Sequence, residues 1–156
     1  MTPMAPPRPT RPASPPLPAS QHKCHIPLMA DLAAAAAARS VVEDAIRTWR
    51  VQVDADVAVL LTSELVTNAV THGTSTTGTF VILTVGFDAA ALRVDVHDGS
   101  SDLPLLDAAS AEAETGRGLL LVTSLSAEWG FYRTSAGKAV YFTLDIARDG
   151  QRTPPD

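Results

Sequence analysis

The chain has 156 residues, is 46% hydrophobic and carries a formal net charge of -5. A chain of this length buries one core, so we expect a single folded domain. The acidic balance, without a Lys/Arg-rich stripe, argues against direct binding of nucleic acid. No apolar stretch has the length of a membrane span or of a signal peptide, and Cys24 is the single cysteine. We therefore expect a cytoplasmic protein without a membrane anchor or an internal disulfide.

Proline is concentrated at one end of the chain. Eight of the 12 prolines fall within residues 1–18, a stretch almost without large apolar side chains. Such a composition cannot bury enough apolar surface to fold. We expect a disordered Pro-rich tail over 1–21, a folded domain over 22–147 and a short disordered tail over 148–156.

Two helices are predicted in the first half of the folded segment. Asp31 can cap a helix that runs through the alanine block. Its apolar positions recur near the helical period: Leu32, Ala35, Val42, Ile46 and Trp49. A second helix begins at Asp54 or Asp56, either of which suits an N-cap, and it ends at Gly73.

The remaining elements are mostly strands. The strand candidates in chain order are 22–29, 79–87, 92–98, 129–134 and 139–146. Alternation over 92–98 predicts a hairpin with one buried face. A short helix is expected over 118–126, after a long loop over 99–116 of a kind that is usually functional or mobile. The predicted architecture is two-layer α+β.

Glu64 and Asn68 are the first candidate site residues. They stand four apart on the second helix, so their side chains lie on one face and can reach one bound object. A carboxylate can act as a base, and a carboxamide oxygen is a suitable ligand for Mg²⁺. The spacing alone fits an ordinary exposed polar pair better, because such pairs are common on helices.

Asp98 is more informative, because strand alternation places it on the inward face after three apolar residues. A buried carboxylate without partners costs several kcal/mol. A ligand amino group, an ordered water or a backbone amide would satisfy it. The alternative is that the strand ends before Asp98 and that residues 98–100 form a turn, and both interpretations can hold together.

Gly116, Arg117 and Gly118 open the predicted short helix. Glycines let backbone amides approach an anion closely, and a helix N-terminus adds positive potential. This is where phosphates would lie, and Arg117 can add a cationic contact. By itself a Gly-x-Gly is weak evidence, and a flexible lead-in to a helix explains it better.

The order of these signals resembles the GHKL superfamily of ATP-binding domains. A polar helix pair, a strand ending in aspartate, a long loop and a Gly-x-Gly helix follow one another. The stretch 63–73, Ser-Glu-Leu-Val-Thr-Asn-Ala-Val-Thr-His-Gly, is similar to the N-box of anti-sigma factors that are also serine-protein kinases. The likeness covers about residues 26–146 and implies a Bergerat-type fold. In that fold a mixed, mostly antiparallel sheet is covered on one face by about three helices.

The resemblance also implies roles for the candidate residues. Asp98 would bind the adenine amino group, with Ser100 beside it. The phosphates would contact the segment Gly116, Arg117, Gly118 and Leu119. Asn68 would ligate Mg²⁺, and Glu64 would be the catalytic base. The implied cofactors are thus ATP and Mg²⁺.

The same resemblance implies partners. An anti-anti-sigma protein of the STAS type would be the phosphorylated substrate, a sigma factor the inhibited client, and homodimerisation follows on the same ground. Two departures motivate an alternative, a nucleotide-dependent binding switch that sequesters a partner without kinase activity. Ser100 stands where the superfamily has glycine, and Ala139 stands near the place of a threonine that helps to hold adenine.

Overall fold

The structure is a computed structural model that describes residues 22–72, 80–100 and 114–147. The strands in these ranges are β1 His22–Met29, β2 Phe80–Phe87, β3 Ala91–Asp98, β4 Glu128–Arg133 and β5 Lys138–Asp145. The helices are α1 Ala34–Trp49, α2 Ala55–His72 and α3 Glu114–Leu125. Both predicted tails and most of the loop, 101–113, lie outside the described residues.

The five strands form one open sheet in the order β1-β2-β3-β5-β4, and every neighbouring pair is antiparallel. β1 continues past Pro27 to Met29 because it is an edge strand, where a proline need not donate to a neighbour. The predicted two-layer α+β architecture is confirmed, and each predicted strand corresponds to an observed one.

The helices pack on one face of the sheet, with α2 against α1, α3, β3 and β5. Alternate strand residues face this helical layer and are almost fully buried: Val81, Leu83, Val85, Leu92, Val94, Val96, Phe142 and Leu144. From α2 they meet Leu61, Leu65, Val66 and Ala69. This apolar layer is the core. None of the three described helices is long and apolar enough to cross a membrane.

The observed start of α2 agrees with the prediction, whereas the observed start of α1 does not. Asp54 is the cap of α2, since its Oδ1 accepts a hydrogen bond from the amide of Val57 at 3.2 Å. Asp31 instead caps a turn before α1, where its Oδ1 accepts from the amide of Ala33 at 2.9 Å. Leu32 is therefore outside the helix and 100% exposed, so its predicted place on the apolar face is wrong.

α3 also begins earlier than expected, at Glu114 rather than at residue 118. The two glycines at 116 and 118 lower the helix propensity of this segment, which hides the first turn from a pattern-based prediction. The helix is held by its apolar side, where Leu119 and Val122 are buried in the core. Gly116 and Gly118 thus lie within the helix and not in a loop before it.

The expectation of a single buried face on β3 is wrong as well. Arg93 and Asp95 point away from the helices, yet they are only 7% and 5% exposed. The Arg93 Nε and Nη2 donate to the two carboxylate oxygens of Asp95 at 2.8 and 3.0 Å. Tyr132 donates its hydroxyl to Asp95 at 2.7 Å, and the Arg93 guanidinium lies 4.1 Å from the ring centre of Tyr141. Pairing and aromatic cover make this burial tolerable.

Gly137, in the turn between β4 and β5, touches the backbone at the end of β3. A Cβ at this position would lie 2.7 Å from the carbonyl carbon and 2.8 Å from the Cα of Gly99, and it would collide with the carbonyl oxygen of Asp98. Only glycine allows the two backbones to approach so closely. The contact fixes the turn against the segment 98–99.

We predict that Gly137→Ala lowers the free energy of unfolding by on the order of 1–3 kcal/mol, because backbone atoms must move to admit the methyl group. Gly99→Ala is the matched control, since among the described residues its Cβ would meet the carbonyl oxygen of Ala136 at the ordinary distance of 3.8 Å and nothing closer. Urea unfolding of both variants measures the difference. Equal stability of the two variants would show that the turn adapts and does not constrain this end of β3.

Candidate functional site

Glu64 and Asn68 lie one turn apart on α2, as predicted, and both are half-buried. They flank the stripe that α2 buries against the sheet. On the opposite flank Arg39 of α1 donates a hydrogen bond to the Ser63 hydroxyl at 3.0 Å, which ties α1 to α2. The pair therefore stands at the margin of the core, where side chains remain within reach of a ligand.

Asp98 is the last residue of β3 and is buried on the face that carries the helices. Its Oδ1 accepts a hydrogen bond from the amide of Ser100 at 2.8 Å, so the chain turns immediately after the strand. The first interpretation is thus correct; of the second, the turn is correct, but the end of the strand before Asp98 is wrong. It ends a strand on the inward face, and it also begins a turn.

Lys138 is the partner of Asp98 that the sequence analysis missed. Its Nζ lies 3.0 Å from Asp98 Oδ1, and the side chains of Lys138 and Asp98 are 7% and 2% exposed. The pair is directly cross-strand, because Asp98 is opposite Lys138 in the register of β3 and β5. Alternation along β5 offered the signal, since Lys138 shares a face with Val140, Phe142 and Leu144.

Ala139 is not at the site. It is opposite His97 in the register and so lies on the other face of the sheet. Its missing hydroxyl, which motivated the alternative function, has no bearing on the surroundings of Asp98. The residue of β5 that lies beside Asp98 is Lys138.

The electrostatics of Asp98 follow from its burial. Loss of water raises the pKa of the Asp98 carboxyl above its ordinary value of 3.8, and the hydrogen bonds from Ser100 and Lys138 oppose that rise. The charge of the Lys138 ammonium also lowers the pKa of Asp98, and His97 adds a smaller effect in the same direction. The group is thus a buried hydrogen-bond acceptor whose charge state depends on Lys138.

The predicted phosphate segment lies at the start of α3. The first four amides of an α-helix have no partner within the helix, and Gly116 and Arg117 are the third and fourth residues of α3. Gly118 is the fifth, so its amide bonds to the helix itself. Leu119 is 1% exposed and belongs to the core. The side chain of Arg117 lies outside the described residues.

The arrangement has the groups that a purine nucleotide and its metal require. Asp98 and Lys138 offer an acceptor and a donor side by side, on the sheet face that packs against α2. Asn68 on that helix has the carboxamide oxygen that suits Mg²⁺, and the start of α3 has amides that suit phosphate. A two-layer nucleotide-binding domain is the class of protein that this fold and these groups would suit.

The comparisons with known proteins agree with this class. The sequence matches the family model of the histidine kinase-like ATPase domain over residues 28–144. The chain therefore belongs to the histidine kinase-like ATPase domain family, which implies ATP as its nucleotide. No curated protein sequence matches the chain.

Among solved structures, the fold is similar to that of the RsbU and RsbW domains of Rv1364c from Mycobacterium tuberculosis. The TM-score is 0.61 and the sequence identity is 22%, over 82% of this chain. The match covers 33% of that longer chain. At this level of identity the likeness supports the fold.

We predict that Lys138→Met destabilises the protein by about 3–5 kcal/mol at pH 7, because it leaves a buried carboxylate unpaired. The loss should be smaller at pH 4. Without Lys138 the pKa of Asp98 in the folded state rises further. Between the ordinary pKa of 3.8 and this raised pKa, the folded protein binds a proton that the unfolded chain has released. The free energy of unfolding then falls as the pH rises from 3.8 through the folded-state pKa.

Urea unfolding at pH 4 and pH 7 tests this prediction. The double variant Asp98→Asn/Lys138→Met is the control, since it removes both charges and should recover most of the lost stability. An equal loss at the two pH values would mean that the ammonium does not stabilise the ionised carboxylate.

Proposed function

We propose that this protein binds Mg-ATP and phosphorylates a serine or threonine of a partner protein, in the manner of anti-sigma factors that are protein kinases. The observation that carries the proposal is the buried Asp98 acceptor at the end of β3, beside the helix that bears Glu64 and Asn68. Family membership supports ATP as the nucleotide. The similarity of residues 63–73 to the N-box of anti-sigma factor kinases supports the protein substrate.

The nucleotide would be held at two ends. Asp98 accepts from the adenine amino group through Oδ2, because the hydrogen bonds from Ser100 and Lys138 both go to Oδ1. The first-turn amides of α3, including those of Gly116 and Arg117, donate to the phosphates. Asn68 ligates Mg²⁺, whose charge would neutralise the phosphate oxygens.

Glu64 is the proposed catalytic base. It lies one helical turn before Asn68, on the same flank of α2, so a carboxylate stands beside the metal ligand. Its carboxylate takes the proton of the attacking hydroxyl, while the fixed residues around it supply positioning and electrostatic stabilisation. The proposed substrate is an anti-anti-sigma protein of the STAS type, and a sigma factor is a further binding partner. The proposed location is the cytoplasm, and the proposed oligomeric state is a homodimer.

A second candidate function is a nucleotide-dependent binding switch that sequesters a partner without transferring phosphate. Ser100 still stands where the superfamily has glycine, and its amide is committed to Asp98. The two candidates differ in a single step, the appearance of phosphate on the partner.

The nucleotide site is tested by calorimetry of Mg-ATP binding to the full chain. We expect Asp98→Asn to weaken binding tenfold or more, because an amide presents a donor where the adenine amino group also donates. Asn68→Ala should lower the affinity in the presence of Mg²⁺ and have less effect without it. Thr67→Ala is the control, since Thr67 is exposed on the same helix. Parent-like affinity in both site variants would contradict the assignment.

The kinase step is tested with labelled ATP, Mg²⁺ and a STAS-type anti-anti-sigma protein. We expect label on a partner serine or threonine, at a rate that Glu64→Gln lowers by about 10²–10⁴-fold while ATP binding is retained. Thr67→Ala should label the partner at the parent rate. Nucleotide-dependent capture of the partner without label would establish the binding switch, and phosphate release without a partner would indicate a plain ATPase.

A further inference from the structure

Lys138 has more hydrogen-bonding capacity than the described residues use. An ammonium carries three donor hydrogens, and within ranges 22–72, 80–100 and 114–147 one acceptor, Asp98 Oδ1, takes a hydrogen bond from it. The side chain is nevertheless 7% exposed, so little of it meets bulk water. A buried charge whose donors exceed the acceptors among these residues favours a further acceptor at this place.

Two backbone contacts determine where the Lys138 ammonium lies. Lys138 begins β5 and is paired in register with Asp98. The preceding residue, Gly137, packs against the backbone of Asp98 and Gly99. The donor and the acceptor therefore lie next to each other at the end of the β3–β5 ladder, 3.0 Å apart, so that one ligand can contact both.

We propose that Lys138 contacts the nucleobase and donates a hydrogen bond to N1 of adenine, while Asp98 accepts from the 6-amino group. This inference rests on the proposed binding of ATP. Adenine presents a donor at position 6 and an acceptor at N1, which complements a carboxylate beside an ammonium. Guanine presents the reverse order, an acceptor at position 6 and a donor at N1, so the same pair rejects it. Lys138 thereby helps to determine the specificity for adenine.

The test compares Mg-ATP with Mg-1-deaza-ATP, in which a C–H group replaces N1 and the 6-amino group is retained. Calorimetry is carried out with the full chain and with Lys138→Met. In the parent protein we expect 1-deaza-ATP to bind tenfold or more weakly than ATP, because a charged donor then faces a C–H group. In Lys138→Met the two nucleotides should bind alike.

The outcomes separate the inference from the function on which it rests. If 1-deaza-ATP binds the parent protein as tightly as ATP, Lys138 does not contact N1, and ATP binding stands. If Lys138→Met weakens both nucleotides by the same factor and leaves their ratio unchanged, Lys138 only positions Asp98, and the inference is wrong. If ATP itself does not bind the parent protein, the proposed function fails together with the inference. The comparison in the parent protein requires no variant to fold.

Discussion

The register of β3 on β5 is the constraint on which the site and the core both depend. Side chains alternate between the two faces of a strand, so a shift of one residue would exchange every inward residue for an outward one. In the observed register Val94 and Val96 meet Phe142 and Val140 beneath the helices. The same register brings Asp98 to Lys138 at the end of the ladder. The burial of the apolar layer therefore also aligns the two charges.

The face of the sheet away from the helices is stabilised by polar side-chain contacts. It is held by directional polar contacts, with Asp95 receiving hydrogen bonds from both Arg93 and Tyr132. The Tyr141 ring lies under the guanidinium, and its hydroxyl donates to Glu128 at 3.0 Å. Burial raises the pKa of Tyr132, and the neighbouring Asp95 carboxylate raises it further, so the phenol remains a proton donor to that carboxylate. Strands β3, β4 and β5 are thus joined on both faces.

Much of the fold could be predicted because its signals are local. Asp54 and the apolar spacing after it identify α2, and alternation identifies β3 with Asp98 facing inward. The start of α1 escaped prediction because six consecutive alanines, residues 33–38, give no contrast between the faces of a helix.

The missed side-chain partners have another cause, which is separation along the chain. Lys138 lies 40 residues from Asp98, and Tyr132 lies 37 residues from Asp95. The pattern of a single strand cannot contain the register that joins it to a distant one. Asp98 was recognised as a residue in need of a partner, but which residue satisfies it became known only from the pairing of β3 with β5.

Gly137 and the pair of Asp98 and Lys138 constrain sequence variation in two different ways. The atoms that a side chain at 137 would meet belong to the backbone of residues 98 and 99, and every amino acid has them. No second substitution at those two positions can therefore compensate for a change at 137. The charges at 98 and 138 behave in the opposite way, since each makes the other tolerable. At this end of the sheet we therefore expect related sequences to keep glycine at position 137 and to change residues 98 and 138 together.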